Sequence, residues 1–203
     1  MSISCYNRTM ESIILASGSL QRQSFFKMLG LPFSSASSSI DESLCTHTDP
    51  ILLTRELSKL KVESLLGKMK QKPLWIFGAD TVIAINEKII GKPKDREDAA
   101  GILKELSGKQ HNVYTSMALY NMRKDKMDIR TCSSVVFFAS LSDTDIEWYL
   151  DTNEWQGAAG AYRMQGIAGC FITKIEGSPS AIVGLPLNEF YAMLKDNSYP
   201  FGA

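Results

Sequence analysis

The sequence predicts a single mixed α/β domain, on three observations. A short apolar run, Ile13-Ile14-Leu15-Ala16, passes through the hydroxyl-rich turn Ser17-Gly18-Ser19 into a segment of helical spacing, the strand–turn–helix order of an α/β unit. A longer apolar run from Trp75 to Ile85 is followed by the turn residues Asn86-Glu87-Lys88 and a short return, Ile89-Ile90, as in a hairpin. Two further extended stretches, His111–Tyr120 and Thr131–Ser140, flank the charged turn Arg123-Lys124-Asp125-Lys126 and read as an antiparallel pair. No internal repeat occurs and no linker is long enough to separate independent domains, so residues 1–203 are expected to form one domain.

In chain order, residues 1–11 are polar and expected to fray. A helix is expected over Leu20–Leu29, with Phe25, Phe26 and Leu29 on its apolar face and Gly30 as its stop. Leu31–Ser35 reads as a second strand, followed by a serine-rich loop and the adjacent acids Asp41 and Glu42. Asp49-Pro50 opens the next helix as N-cap and first residue. Leu53, Leu57 and Leu60 are its expected buried stripe, and Lys61 falls at the edge of that face. Asp95 caps a helix carrying Ala99, Ile102, Leu103 and Leu106 and ending at Ser107-Gly108. Ser142-x-x-Asp145 is a capping box opening a helix through Leu150. Gly169–Ile175 reads as a strand, and Val183-Gly184-Leu185-Pro186 as the start of a last helix with Leu187, Phe190, Tyr191 and Leu194 inward.

Bulk properties exclude several function classes. Lys+Arg and Asp+Glu balance at 22 each, which argues against a global attraction to nucleic acid or to a membrane surface. No apolar run approaches the ~20 residues needed to span a bilayer, and the N-terminus lacks the apolar core of a signal peptide. Cys5, Cys45, Cys132 and Cys170 lie far apart, as reduced thiols of a cytosolic protein do. With only His47 and His111 available, neither at ligand spacing, a Cys/His zinc site is not expected.

Three stretches carry chemistry. Asp80 interrupts an apolar strand directly after the small pair Gly78-Ala79, and a buried carboxylate must be paired, protonated or metal-bound. Lys92 follows the hairpin, which can return it toward Asp80. A carboxylate and a cation beside a gap in side-chain bulk suit metal-assisted chemistry on a phosphate. A structural Asp–Lys pair beneath a turn is the alternative. The turn Ser17-Gly18-Ser19 with Arg22 in the following first helical turn offers free N–H groups, hydroxyls and a positive helix end to a phosphate, although Ser19 alone could simply be an N-cap. It is not a Walker loop. The small-residue run at 157–161 leads through Tyr162 to Met164-Gln165-Gly166, where Gln165 presents both a donor and an acceptor, as a base edge requires; a tight structural turn is the alternative.

Taken together, ILASGSLQRQSFFKMLG, IDES, GADTVI followed by IIGKP, LSGKQHNV, AGAYRMQG and IVGLPL resemble the Maf family of nucleoside triphosphate pyrophosphatases, in the family's order from about Ile13 to Leu194. The resemblance implies an elongated, curved mixed sheet in two lobes with flanking helices and a cleft between, akin to inosine triphosphatase. It implies hydrolysis of a nucleoside triphosphate to the monophosphate and pyrophosphate, with Mg²⁺ or Mn²⁺. Asp80 would be the base that activates water, Glu42 and Asp80 would lie at the metal, and Lys61, Lys92 and Arg22 would hold phosphates with Ser17 and Ser19. In the branch acting on dTTP and UTP, three positions are tied to specificity and read here Gln21, Thr81 and Gln165. Thr81 and Gln165 match that branch, whereas Gln21 stands where an arginine is usual. The branch acting on 7-methyl-GTP has Trp, Glu and Glu there. The motif's acidic residue and lysine are replaced by Gly157 and Ala158, and Arg163, in place of a glycine, is expected to bring a cation to the cleft. A low-turnover nucleotide-binding regulator of cell division or septum formation is the alternative the family offers. A homodimer is the common arrangement for small enzymes of this kind.

Overall fold

The computed structural model describes residues 10–69 and 73–201; most of the N-terminal stretch expected to fray lies outside them. Ile13–Leu15 (β1), Leu20–Met28 (α1) and Phe33–Ser35 (β2) form the expected opening unit, with β1 parallel to β2. Pro50–Leu66 (α2) crosses to Trp75–Ile85 (β3), which lies parallel to β1 on β1's other side. Asn86 and Glu87 both take positive φ, as a tight hairpin turn requires, and return the chain as Lys88–Ile90 (β4) against Ile83–Ile85.

After Arg96–Leu106 (α3), the strands Gln110–Asn121 (β5) and Lys126–Phe138 (β6) form a long antiparallel ribbon. β5 also pairs along nearly the whole of β3. Asp143–Asp151 (α4), Ile172–Glu176 (β7), Pro179–Val183 (α5) and Leu187–Asp196 (α6) complete the chain. The seven-stranded mixed sheet runs β2-β1-β3-β5-β6-β7, with β4 on β3.

Side-chain caps define the helix starts as the sequence predicts. Asp49 and Asp95 accept from Leu52 N and Asp98 N, and Ser142 with Asp145 closes a reciprocal capping box. Three expectations are corrected. The buried face of α2 is Thr54, Leu57, Ser58, Lys61, Val62 and Leu65, not the leucine stripe: Leu53 and Leu60 are only partly covered, because small and polar residues face β3 and β5. Residues Ile167–Phe171 form a 3₁₀ turn, so β7 starts at Ile172. The run before α6 is not its first turn. It ends the separate helix α5 at Gly184, whose φ of 111° closes the helix in the left-handed region, and Tyr191 points outward, 51% exposed. Met193 takes the inward place expected for Tyr191.

One face of strand β3 is shared between two hydrophobic cores. Trp75, Phe77 and Ala79 pack with Phe26 and Phe190, whereas Ile83 and Ile85 pack with Leu103 and Phe138. Alternation along a strand puts these odd-numbered residues on one face, and Thr81 is the polar residue at the join. Asp80 faces the other way, toward α2. Among the described residues no helix is long and apolar enough to cross a membrane, and Cys45, Cys132 and Cys170 are free thiols.

Candidate active site

The site is assembled where β1 and β3, neighbours in the sheet, meet the helices that precede and follow them. Its first determinant is Gly78. A Cβ there would stand 2.8 Å from the Ser58 carbonyl oxygen and 3.0 Å from Val62, so only glycine lets α2 lie this close to β3. One helical turn beyond Ser58, Lys61 therefore reaches Asp80, two positions along the strand. Lys61 Nζ donates to Asp80 Oδ1 at 2.5 Å and lies 2.9 Å from Glu42 Oε1. The lysine and aspartate are buried, while half of the Glu42 side chain is exposed. Glu42 sits in a short 3₁₀ turn whose N-cap, Asp41, accepts from Ser43 N.

The environments of the two acids push their titrations apart. Burial raises the Asp80 carboxyl above its ordinary value; the charges of Lys61 and Arg22 oppose this, and Glu42 reinforces it. For Glu42, partial burial is outweighed by the hydrogen bond and charge of Lys61 and by the charges of Lys92 and Arg22, so its carboxyl lies below the ordinary value. The partner of Asp80 is thus Lys61 from the preceding helix. Lys92, which the hairpin was expected to return to Asp80, is exposed, lines the same cleft and acts on Glu42 through its charge.

The turn before α1 supplies a second cluster. Ser17 Oγ accepts from Ser19 N at 3.1 Å and from Arg22 Nη1 at 3.3 Å. Ser19 Oγ accepts from Arg22 N as the N-cap. The Arg22 guanidinium is buried and donates also from Nε to Gly184 O at 2.9 Å and from Nη2 to Thr81 Oγ1 at 3.2 Å. Of its five N–H donors, one on each terminal nitrogen remains unused by these bonds.

Both clusters open into one cleft of about 910 Å³, which Gln21, Lys92 and Gln165 also line. The structure therefore brings together every residue singled out from the sequence: Ser17, Ser19, Gln21, Arg22, Glu42, Lys61, Asp80, Thr81, Lys92 and Gln165. Gly157 and Ala158 contribute an uncharged stretch of its wall. Arg163 reaches the cleft lining, but its guanidinium is committed elsewhere. Nε donates to Glu154 O at 3.1 Å and Nη2 to Gln156 O at 2.8 Å. Glu154 Oε2 in turn accepts from Ile167 N at 2.9 Å, so the two segments flanking Gln165 are tied to each other. The arginine expected to replace a lost cation is thus a loop clamp.

Sequence reasoning missed Thr115 and Gly184, both of which bear on Arg22. Thr115 lies opposite Thr81 in the β3–β5 register, fully buried, and its hydroxyl is 2.9 Å from that of Thr81. The signal was present: Thr115-Ser116 interrupts an otherwise apolar strand just as Asp80-Thr81 does.

The fold places the chain in a class of mixed α/β proteins that includes the Ham1 protein of Staphylococcus aureus. That structure superposes with a TM-score of 0.54 over 92% of this chain and 99% of its own, at 12% identity, a likeness of fold. Within that class the chain belongs to the Maf family: the family model described as Maf-like protein matches residues 12–197. Curated relatives named dTTP/UTP pyrophosphatase include one from Pelotomaculum thermopropionicum, 38% identical over 190 residues (94% of this chain, 98% of the relative). Another, from Treponema denticola, is 40% identical over 200 residues, again covering 94% and 98%.

Proposed function

We propose that this protein is a nucleoside triphosphate pyrophosphatase of the dTTP/UTP type, hydrolysing its substrate to the monophosphate and pyrophosphate. The observation that carries the reading is Lys61 held between the buried Asp80 and the half-exposed Glu42, beside the Ser17–Arg22 turn in one cleft. Names of relatives over nearly the whole chain supply the substrate class.

In this reading Asp80 removes a proton from the attacking water, a task helped by a carboxyl whose proton affinity burial has raised. Lys61 keeps the Asp80 carboxylate in place and its charge compensated before substrate arrives. The hydroxyl of Ser17 accepts two bonds and keeps its own hydrogen for a phosphate oxygen. Arg22 and Lys92 offset the charge of the triphosphate. Gln21, Thr81 and Gln165 bear on the choice of base.

The residues present fit a divalent cation. Mg²⁺ is ordinarily held by one or two carboxylates plus substrate phosphates, and Glu42 with Asp80 supplies that number. Among the described residues no group of three or more His, Cys, Asp or Glu could cage a metal. Bound there, Mg²⁺ or Mn²⁺ would neutralise phosphate charge and polarise a phosphoryl oxygen.

The test is pyrophosphate release by the purified protein from a panel of canonical and modified nucleoside triphosphates, with Mg²⁺, with Mn²⁺ and with chelator. Metal-dependent release favouring dTTP and UTP is expected. Release favouring another base would overturn the substrate assignment while keeping the chemistry. Binding across the panel without release would favour the regulatory reading, to which the uncharged wall at Gly157 and Ala158 lends its one structural argument.

A further inference from the structure

We infer that Thr115, a residue with no place in the reaction scheme above, is a positioning residue for Arg22, and that Thr81 acts through Arg22 rather than by donating to the substrate. The argument rests on counting hydrogens. A threonine hydroxyl has one hydrogen to give. Thr115 gives its hydrogen to the carbonyl oxygen of Ala181, 2.8 Å away. The 2.9 Å bond between the two threonine hydroxyls must then be donated by Thr81. With its hydrogen so used, Thr81 Oγ1 can only accept, and it accepts from Arg22 Nη2 at 3.2 Å. The direction of the whole chain is fixed: Arg22 to Thr81, Thr81 to Thr115, Thr115 to Ala181.

The chain is also closed. Ala181 belongs to α5, and the residue that ends α5, Gly184, accepts from Arg22 Nε at 2.9 Å. A second link joins those ends, since Gly184 N donates to Ala181 O at 2.9 Å. The guanidinium is therefore gripped on two of its nitrogens by one ring of bonds running through β3, β5 and α5. Ser17 holds the third nitrogen from the phosphate-binding turn. Gly184 permits the close approach: a Cβ there would stand 3.4 Å from Arg22 Nη2 and 3.5 Å from Thr81 Oγ1, at a φ unsuited to side chains. A largely buried ring in which each hydroxyl is bonded is rigid, and loss of one hydroxyl frees the members next to it. Thr115 is fully buried and reaches no substrate, so its effect on the reaction must pass through Thr81 and Arg22.

This inference rests on the reading that Arg22 holds phosphates, and the experiment separates the two. Steady-state kinetics on dTTP are compared for the wild type, Arg22→Ala, Thr115→Val, Thr115→Ser and Thr81→Val, with a melting curve for each. Thr115→Val is expected to raise KM about tenfold with kcat within about twofold of wild type. Thr115→Ser, which restores the hydroxyl but not the methyl, should bring KM back even where it lowers Tm. A merely structural role would instead show Tm loss in both Thr115 variants and no difference in KM between them, which would overturn the inference. If Thr115→Val fails to fold, Thr81→Val breaks the same ring at its middle and should raise KM to a similar degree; a wild-type KM there also overturns the inference. Should Arg22→Ala itself keep the wild-type KM, the assignment of Arg22 to phosphate fails first, and the inference with it.

Discussion

Two sets of residues lining the cleft are built on opposite principles. In the first, on β1, β3 and the helices beside them, each chemical group is already bonded: Asp80 and Glu42 to Lys61, Arg22 to Ser17, Thr81 and Gly184. In the second, Gln21, Lys92 and Gln165 line the same space partly or fully exposed, with no side-chain hydrogen bond to hold them among the described residues. On the proposed reaction, Asp80 and Arg22 are fixed in advance, so that little reorganisation is left for the moment of reaction. Substitution in the unbonded set is expected to disturb the fold little. The departure at Gln21 falls in that permissive set, and Asp80, Glu42, Lys61 and Arg22 of the fixed set are all present.

The largest effect should come from removing the base. Asp80→Asn should lower kcat/KM by about 10³-fold in a pyrophosphate-release assay while the circular dichroism spectrum stays native; wild-type rates would remove Asp80 from its role. Next, Lys61→Ala should destabilise the fold by about 3 kcal/mol, because it leaves a buried carboxylate alone. Gln165→Ala, in the unbonded set, should stay within about 0.5 kcal/mol. Equal losses of stability in urea unfolding would erase the contrast drawn above.

Acid separates function from fold. His111 is buried, with Nε2 2.8 Å from the Tyr162 hydroxyl and no partner for Nδ1 among the described residues, and burial lowers its pKa from 6.5 to about 4. The unfolded chain therefore binds the proton more readily. The stability this contributes is whole above pH 6.5 and is lost as the pH falls toward 4, on the order of 3 kcal/mol in all. Denaturant midpoints across that range should show the slope, and His111→Phe should flatten it. Asp80 shifts the other way, so the acid limb of kcat/KM should lie above the 3.8 of an ordinary aspartate, and it should persist in His111→Phe.

Two smaller effects sharpen the picture. Gly78→Ala forces a Cβ against the Ser58 carbonyl, and overpacking of this kind typically costs about 1–3 kcal/mol. Because it also moves α2, activity should fall by more than the stability loss explains. Gln21→Arg should leave Tm unchanged and raise the preference for dTTP and UTP severalfold. An unchanged substrate ratio would remove Gln21 from the specificity argument.

The contrast between the bonded and unbonded sets also bears on what could be read from the sequence. Local signals were legible because their physics is local: the caps at Asp49, Asp95 and Ser142, the hairpin at Asn86-Glu87, and the acid inside β3. The pairing of Asp80 was not, because it depends on how closely α2 approaches Gly78, a distance that no periodicity encodes. Lys61 was legible as a lysine at the edge of a leucine stripe, yet the stripe itself is turned, with Thr54 and Ser58 inward. Arg22 was legible as a cation but not as a held one, since its partners Thr81 and Gly184 lie 59 and 162 residues away. Arg163 was misplaced for the same reason: its partners are backbone carbonyls, which sequence pattern does not show.

The pairing of Asp80 with Lys61 has a consequence for the order in which the protein is made. The two residues are separated by 19 positions, and the lysine comes first. A ribosome delivers α2 complete before it delivers the acid, and β5, the strand that walls in β3 along most of its length, follows later still. The counter-charge for Asp80 is therefore already present when the acid is made, so the nascent chain has no need to bury a lone carboxylate on its way to the native state.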